Sequence, residues 1–108
     1  MREFFRFVGE MEAVVEQKKW PLVKKFNKSY VTFKAGFPNV FGIIFIGSKT
    51  FAFFVKISEA QAKALTPPPS RYETQWKQAT YIIDPKNTRT DSFVPIFEAA
   101  YQHQVKKD

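Results

Sequence analysis

Two apolar runs near the middle of the chain, Val40-Phe41-Gly42-Ile43-Ile44-Phe45-Ile46 and Thr50-Phe51-Ala52-Phe53-Phe54-Val55-Lys56-Ile57, are separated only by Gly47-Ser48-Lys49. Both are rich in β-branched and aromatic residues, and both fall far short of the roughly 20 apolar residues of a membrane-crossing helix. The glycine-bearing turn between them is short enough for a hairpin. A third run, Tyr30-Val31-Thr32-Phe33, precedes them across a turn holding Gly36 and Pro38, so three consecutive antiparallel strands are predicted. The middle one is apolar on both faces, which places it inside the sheet and requires cover on each side.

What flanks the strands reads as helix. Phe4, Val8, Met11 and Val15 recur at steps of four, three and four residues, one stripe of a helix from about 3 to 17. Trp20-Pro21 ends it, because proline cannot continue a helix and restricts the residue before it. Leu22, Val23 and Phe26 then suggest a short helical turn. After the third strand, Ser58 with Gln61 three residues on forms a capping box that opens a helix to about Leu65, where Thr66-Pro67-Pro68-Pro69-Ser70 stops it. Trp76 to Ile83 reads as a fourth strand, closed by Asp84-Pro85-Lys86-Asn87. Thr90, Asp91 or Ser92 can cap a last helix, with Val94, Phe97 and Tyr101 as its stripe and Ala100 beside them. The expected fold is α+β: a four-stranded antiparallel sheet with an N-terminal helix pair, a short helix after strand 3 and a C-terminal helix, in the order α-α-β-β-β-α-β-α.

With 108 residues, two cores would each be too small to offset chain entropy, so residues 1–108 are expected to form one domain. The 13 Phe, 4 Tyr and 2 Trp supply a large buried area, enough for a core without covalent staples. Cysteine is absent, which excludes disulfides, thiolate zinc sites and a cysteine nucleophile and fits a reducing compartment. Met1-Arg2-Glu3-Phe4-Phe5-Arg6 lacks the apolar stretch of a signal peptide. A soluble cytoplasmic protein with no membrane partner is the expectation.

Catalytic signatures are missing. His103, close to the end of the last helix, is the single histidine, with no second His or Cys to share a metal and a poor position for a general base. Most acids fall on the outer faces of the first and last helices, Asp84 reads as a turn former, and none of Gly9, Gly36, Gly42 and Gly47 belongs to a phosphate-binding loop. The chain is expected to be no enzyme and to need no cofactor and no metal.

Charge is the remaining signal. The formal net charge is +7, and no acid lies between Glu16 and Glu59, a span that carries Lys18, Lys19, Lys24, Lys25, Lys28, Lys34, Lys49 and Lys56. Such a field attracts polyanions. The blander account is a solvated lysine surface that keeps a Phe-rich domain soluble. If nucleic acid is the partner, Lys24, Lys25, Lys28, Lys34 and Lys49 are the candidate contacts, since they precede or occupy the hairpin turns and the first basic segment. Lys56, near a strand end, and Trp76, at the start of the fourth strand, can bury a stem or rim a groove. An alternative function is protein interaction or homodimerisation through an apolar sheet face.

Phe53-Phe54-Val55-Lys56-Ile57 followed by a short helix, then Trp76 leading a strand, a polar turn and a helix ending Ala99-Ala100-Tyr101 resembles the MmcQ/YjbR-like proteins. It is also similar to a related small domain of unknown function found in predicted transport proteins. The resemblance covers about residues 28–104 and rests on element order with Lys56, Trp76 and Tyr101. It implies a compact antiparallel sheet flanked by helices, the double-wing arrangement, for which DNA binding is the proposed role.

Overall fold

In the computed structural model, which describes residues 2–36, 38–46 and 50–105, one helix opens the chain: α1, Arg2–Lys18. Lys19 ends it in a left-handed conformation, φ 58°. Its N–H bonds to the Glu16 carbonyl at 3.1 Å, and that of Trp20 to the Val15 carbonyl at 3.1 Å. This is a Schellman closure with lysine where glycine is usual. The chain therefore turns sharply before Pro21, and the segment after it runs extended.

That segment is a correction to the expected helix pair. Val23–Phe26 is a strand, β1, paired antiparallel with β2, Tyr30–Lys34, from Val23 opposite Lys34 to Phe26 opposite Val31. The spacing of Leu22 and Phe26 mimics one helical turn, but Trp20-Pro21 prevents any continuation from α1, and four residues alone cannot nucleate a helix. As a strand they gain a ladder of hydrogen bonds along β2. The two lysines, Lys24 and Lys25, suit an edge, where charge discourages pairing with another chain.

The sheet also has six strands rather than four. β3, Asn39–Phe45, and β4, Phe51–Lys56, follow as expected, and β6, Gln78–Ile83, pairs with β4. The strand missed is β5, Arg71–Glu73. It pairs with β6 through Tyr72 opposite Ala79, and Tyr72 donates a hydrogen bond to the Ile57 carbonyl at 2.8 Å. A three-residue strand after a proline-rich loop carries too few residues to show alternation. Residues 74–77 form the β5–β6 turn, so Trp76 and Lys77, expected inside a strand, stand on a turn with Lys77 left-handed at φ 50°. The antiparallel order is β1-β2-β3-β4-β6-β5, which keeps the apolar β3 away from both edges.

Strand alternation divides the sheet. Val31 and Phe33, Phe41 and Ile43, Phe51, Phe53 and Val55, and Ala79, Tyr81 and Ile83 are buried in the main core with Phe4, Phe7, Val8, Met11 and Val15 of α1. A 3-10 turn, Thr90–Phe93, leads into α3, Val94–Val105, which adds Ile96, Phe97 and Ala100 to that core. Rings lock the layers: Phe97 stacks on Phe41 at 4.6 Å and meets Phe53 edge-on at 5.3 Å. The inward stripe thus starts in the turn at Phe93 and continues along α3 through Ile96, Phe97 and Ala100, while Tyr101 is half-buried and stacks on Trp20 at 4.8 Å. The short helix α2, Glu59–Ala64, opens on the expected capping box, Ser58 Oγ accepting from the Gln61 N–H at 3.2 Å.

On the opposite face the register lines up Lys25, Thr32, Gly42, Phe54, Thr80 and Arg71 in a row across all six strands. Side chains close its centre. A Cβ on Gly42 would lie 2.5 Å from Cζ of Phe54, so the ring covers the glycine and buries itself there. Tyr30 meets that ring edge-on at 6.2 Å. A neighbouring row, Tyr30, Ile44, Ala52 and Ile82, is apolar.

Candidate functional site

Three lysines that are remote in sequence converge at one end of this sheet. Lys34 ends β2, Lys56 ends β4, and Lys77 closes the β5–β6 turn. The β2–β3 turn brings Asn39 opposite Lys34, and Lys56 lies opposite Gln78 at the start of β6. With Pro38, Asn39, Trp76, His103 and Gln104 they line a cavity of about 440 Å³, the size of a small-molecule site. Among the described residues that line it there is no carboxylate.

Lys56 is anchored to the β5–β6 turn. Its stem is half-buried, and Nζ donates to the Trp76 carbonyl at 3.4 Å, a long bond. Burial lowers its pKa from the usual lysine value, and the charge of Glu73 partly restores it. Trp76 is 60% exposed, and among the described residues no other ring packs against it. The β5–β6 turn holds the indole out beside the lysines.

The lysines expected from sequence to bind together are dispersed. Lys24 and Lys25 are neighbours on an edge strand and so face opposite ways. Lys24 stands opposite Phe33, on the helix side, where Nζ pairs with Glu12 of α1 at 2.8 Å. Lys25 stands opposite Thr32 at the end of the long row. Lys28 lies in the exposed β1–β2 turn, at the far end of β2 from Lys34. Of the four that are described, Lys34 alone reaches the cavity; Lys49 lies outside the described residues. Folding also brings acids to the acid-free span: besides Glu12, Glu98 of α3 approaches Lys18 at 3.8 Å.

Lys77, Asn39, His103 and Gln104 were missed as site residues. The position of Lys77 beside Trp76 was one available signal, since a cation next to a tryptophan already suspected of rimming a groove extends that groove. Nothing in the sequence connects residues 103 and 104 to residue 34.

A second concave region, about 310 Å³, is lined by Arg6, Glu10, Thr88, Arg89, Thr90 and Asp91. It is occupied by its own contacts: Arg6 bonds Glu10 at 3.0 Å and the Pro85 carbonyl at 2.8 Å, and Thr90 donates to Glu10. These fasten α1 to the segment before α3. Among the described residues no three His, Asp or Glu side chains are placed to hold a metal, and no helix is long and apolar enough to cross a membrane.

No protein-family model, curated protein or solved structure matches this chain. The site stands on its own geometry.

Proposed function

We propose that the domain is a non-enzymatic nucleic-acid-binding module whose phosphate site is the Lys34, Lys56 and Lys77 cavity. The observation that carries this reading is the convergence of three lysines from three separate elements in the lining of one concavity. Concentrated positive charge of this kind binds phosphate by releasing condensed counterions. Two of the three positions behind the MmcQ/YjbR-like resemblance, Lys56 and Trp76, line this cavity, which is consistent with the double-wing proposal, while Tyr101 serves α3 packing. A cysteine-free chain fits a reducing compartment, and the cytoplasm is part of the proposal.

Fluorescence anisotropy of labelled single-stranded and duplex oligonucleotides at low salt tests it. Binding is expected to weaken with salt, and three neutralised phosphates give a log-log slope of about −2 to −3. No association with either form at tens of micromolar protein sinks the proposal.

A second reading, a homodimer, is favoured by one observation: in the row Tyr30, Ile44, Ala52 and Ile82, Ile82 is 56% exposed with Ile46 beside it in the same depression. Sedimentation velocity showing a monomer at high concentration removes it.

A further inference from the structure

The cavity is more selective than a patch of lysines, and its shape and lining bear on which form of nucleic acid it takes. Resting on the nucleic-acid reading above, we infer that it holds one nucleotide whose base is unpaired, the base stacked on Trp76 and its phosphate among Lys34, Lys56 and Lys77.

Size is the first ground. About 440 Å³ accommodates a ligand of nucleotide dimensions. A duplex is read by an element inserted into its major groove, about 12 Å wide, whereas here the protein surface is concave and the ligand must enter it. A base held in a stack and paired has no free face to offer.

The second ground is Trp76. An indole 60% exposed on a turn, with no ring of the described residues against it, presents an apolar face to solvent. A base covers such a face whatever its identity, because every base has a π surface. The left-handed Lys77 follows immediately, so the stacking face and a cation come from adjacent residues of one tight turn.

The amides supply the third. Asn39 and Gln104 both line the cavity, and each side chain carries donors and acceptors for a base edge. A site for inorganic polyphosphate needs neither amides nor an aromatic platform.

The experiment uses the full chain and follows tryptophan fluorescence at low salt. The titrants are a 5′-phosphorylated single strand, a blunt duplex of equal length, a nucleoside 5′-monophosphate and tripolyphosphate. Trp76→Phe identifies the signal from residue 76, and Trp76→Ala removes stacking. Being exposed, residue 76 tolerates both, which circular dichroism verifies.

The single strand is expected to quench Trp76 and to bind at least about tenfold more tightly than the duplex. Trp76→Ala should weaken single-strand binding by about fivefold to a hundredfold. Monophosphate binding as tight as the strand assigns the site to free nucleotides, and a tighter strand assigns it to a chain end or unpaired position; both support the inference. Equal strand and duplex affinities, unchanged in Trp76→Ala, overturn it and leave the broader nucleic-acid reading intact. Tripolyphosphate matching the monophosphate without quenching also overturns it. Failure of every titrant to bind removes both.

Discussion

Thr32 stands opposite Gly42, and Gly42 lies against the Phe54 ring; each is answerable to a single substitution. The Thr32 hydroxyl is buried with no hydrogen-bond partner among the described residues, a desolvation cost with no compensating bond. Valine has nearly the same shape and a higher strand preference. Thr32→Val should therefore raise stability by about 1 kcal/mol, read as a higher urea midpoint at unchanged m-value; a loss of similar size would mean that the hydroxyl has a partner. Gly42 is the reverse case. Its φ is not the issue: an added Cβ collides with the Val31 carbonyl oxygen as well as the Phe54 ring, and a backbone atom in a paired strand cannot move aside. Gly42→Ala should cost about 3 kcal/mol, since overpacking a closed core typically costs 1–3. A midpoint unchanged by the alanine would show that the ring does not lie over the glycine.

Edge strands and turns, more than core elements, decide what this domain presents to a partner. Lys24 pairs with Glu12 at 2.8 Å on the helix side, whereas Lys34 and Lys77 line the cavity. Lys34→Gln and Lys77→Gln should each weaken oligonucleotide binding and reduce the magnitude of the salt slope by roughly 0.7 to 0.9. Lys24→Gln should leave binding unchanged and cost under about 1 kcal/mol, because half-exposed ion pairs contribute little. Equal losses from all three would mean that the phosphate track extends beyond the cavity onto β1. The same contrast separates what could be read from sequence. Helix α1, the capping box of α2 and strands β2, β3 and β4 were legible because each repeats its pattern over several residues. β1 and β5 were not: four and three residues are too few for a period, and their placement depends on β2 and β6. Lys56 and Trp76 stood out singly, but the cavity they share forms only when the ends of β2, β4 and α3 are brought level. A charge run in sequence became opposed faces because a strand alternates.

The molecule as a whole carries +7, and its response to alkali should separate general charge repulsion from two particular buried groups. Burial pushes the Tyr81 hydroxyl from 10.0 up to about 12, and the side chain is 2% exposed with its oxygen unpartnered among the described residues. A folded pKa above the unfolded one means that the native state holds its proton longer. The associated stability is complete below pH 10 and is lost as pH rises through about 12. The shift corresponds to at most about 3 kcal/mol. Lys56 has the opposite sign. Its pKa lies below 10.5 through desolvation, opposed by Glu73, so the native state sheds a proton that the unfolded chain keeps, and stability rises with pH up to about 10.5. Thermal unfolding followed from pH 8 to 12 should therefore show a maximum near pH 10 and a steep fall beyond it. Tyr81→Phe keeps the ring, removes the titrating group and should flatten most of the fall while leaving neutral-pH stability equal or up to about 1 kcal/mol higher. Lys56→Met retains an unbranched apolar stem and should shallow the rise while leaving the fall in place. If Tyr81→Phe falls as steeply as the parent chain, the alkaline limit belongs to the molecule's charge at large and Tyr81 does not ionise from the folded core.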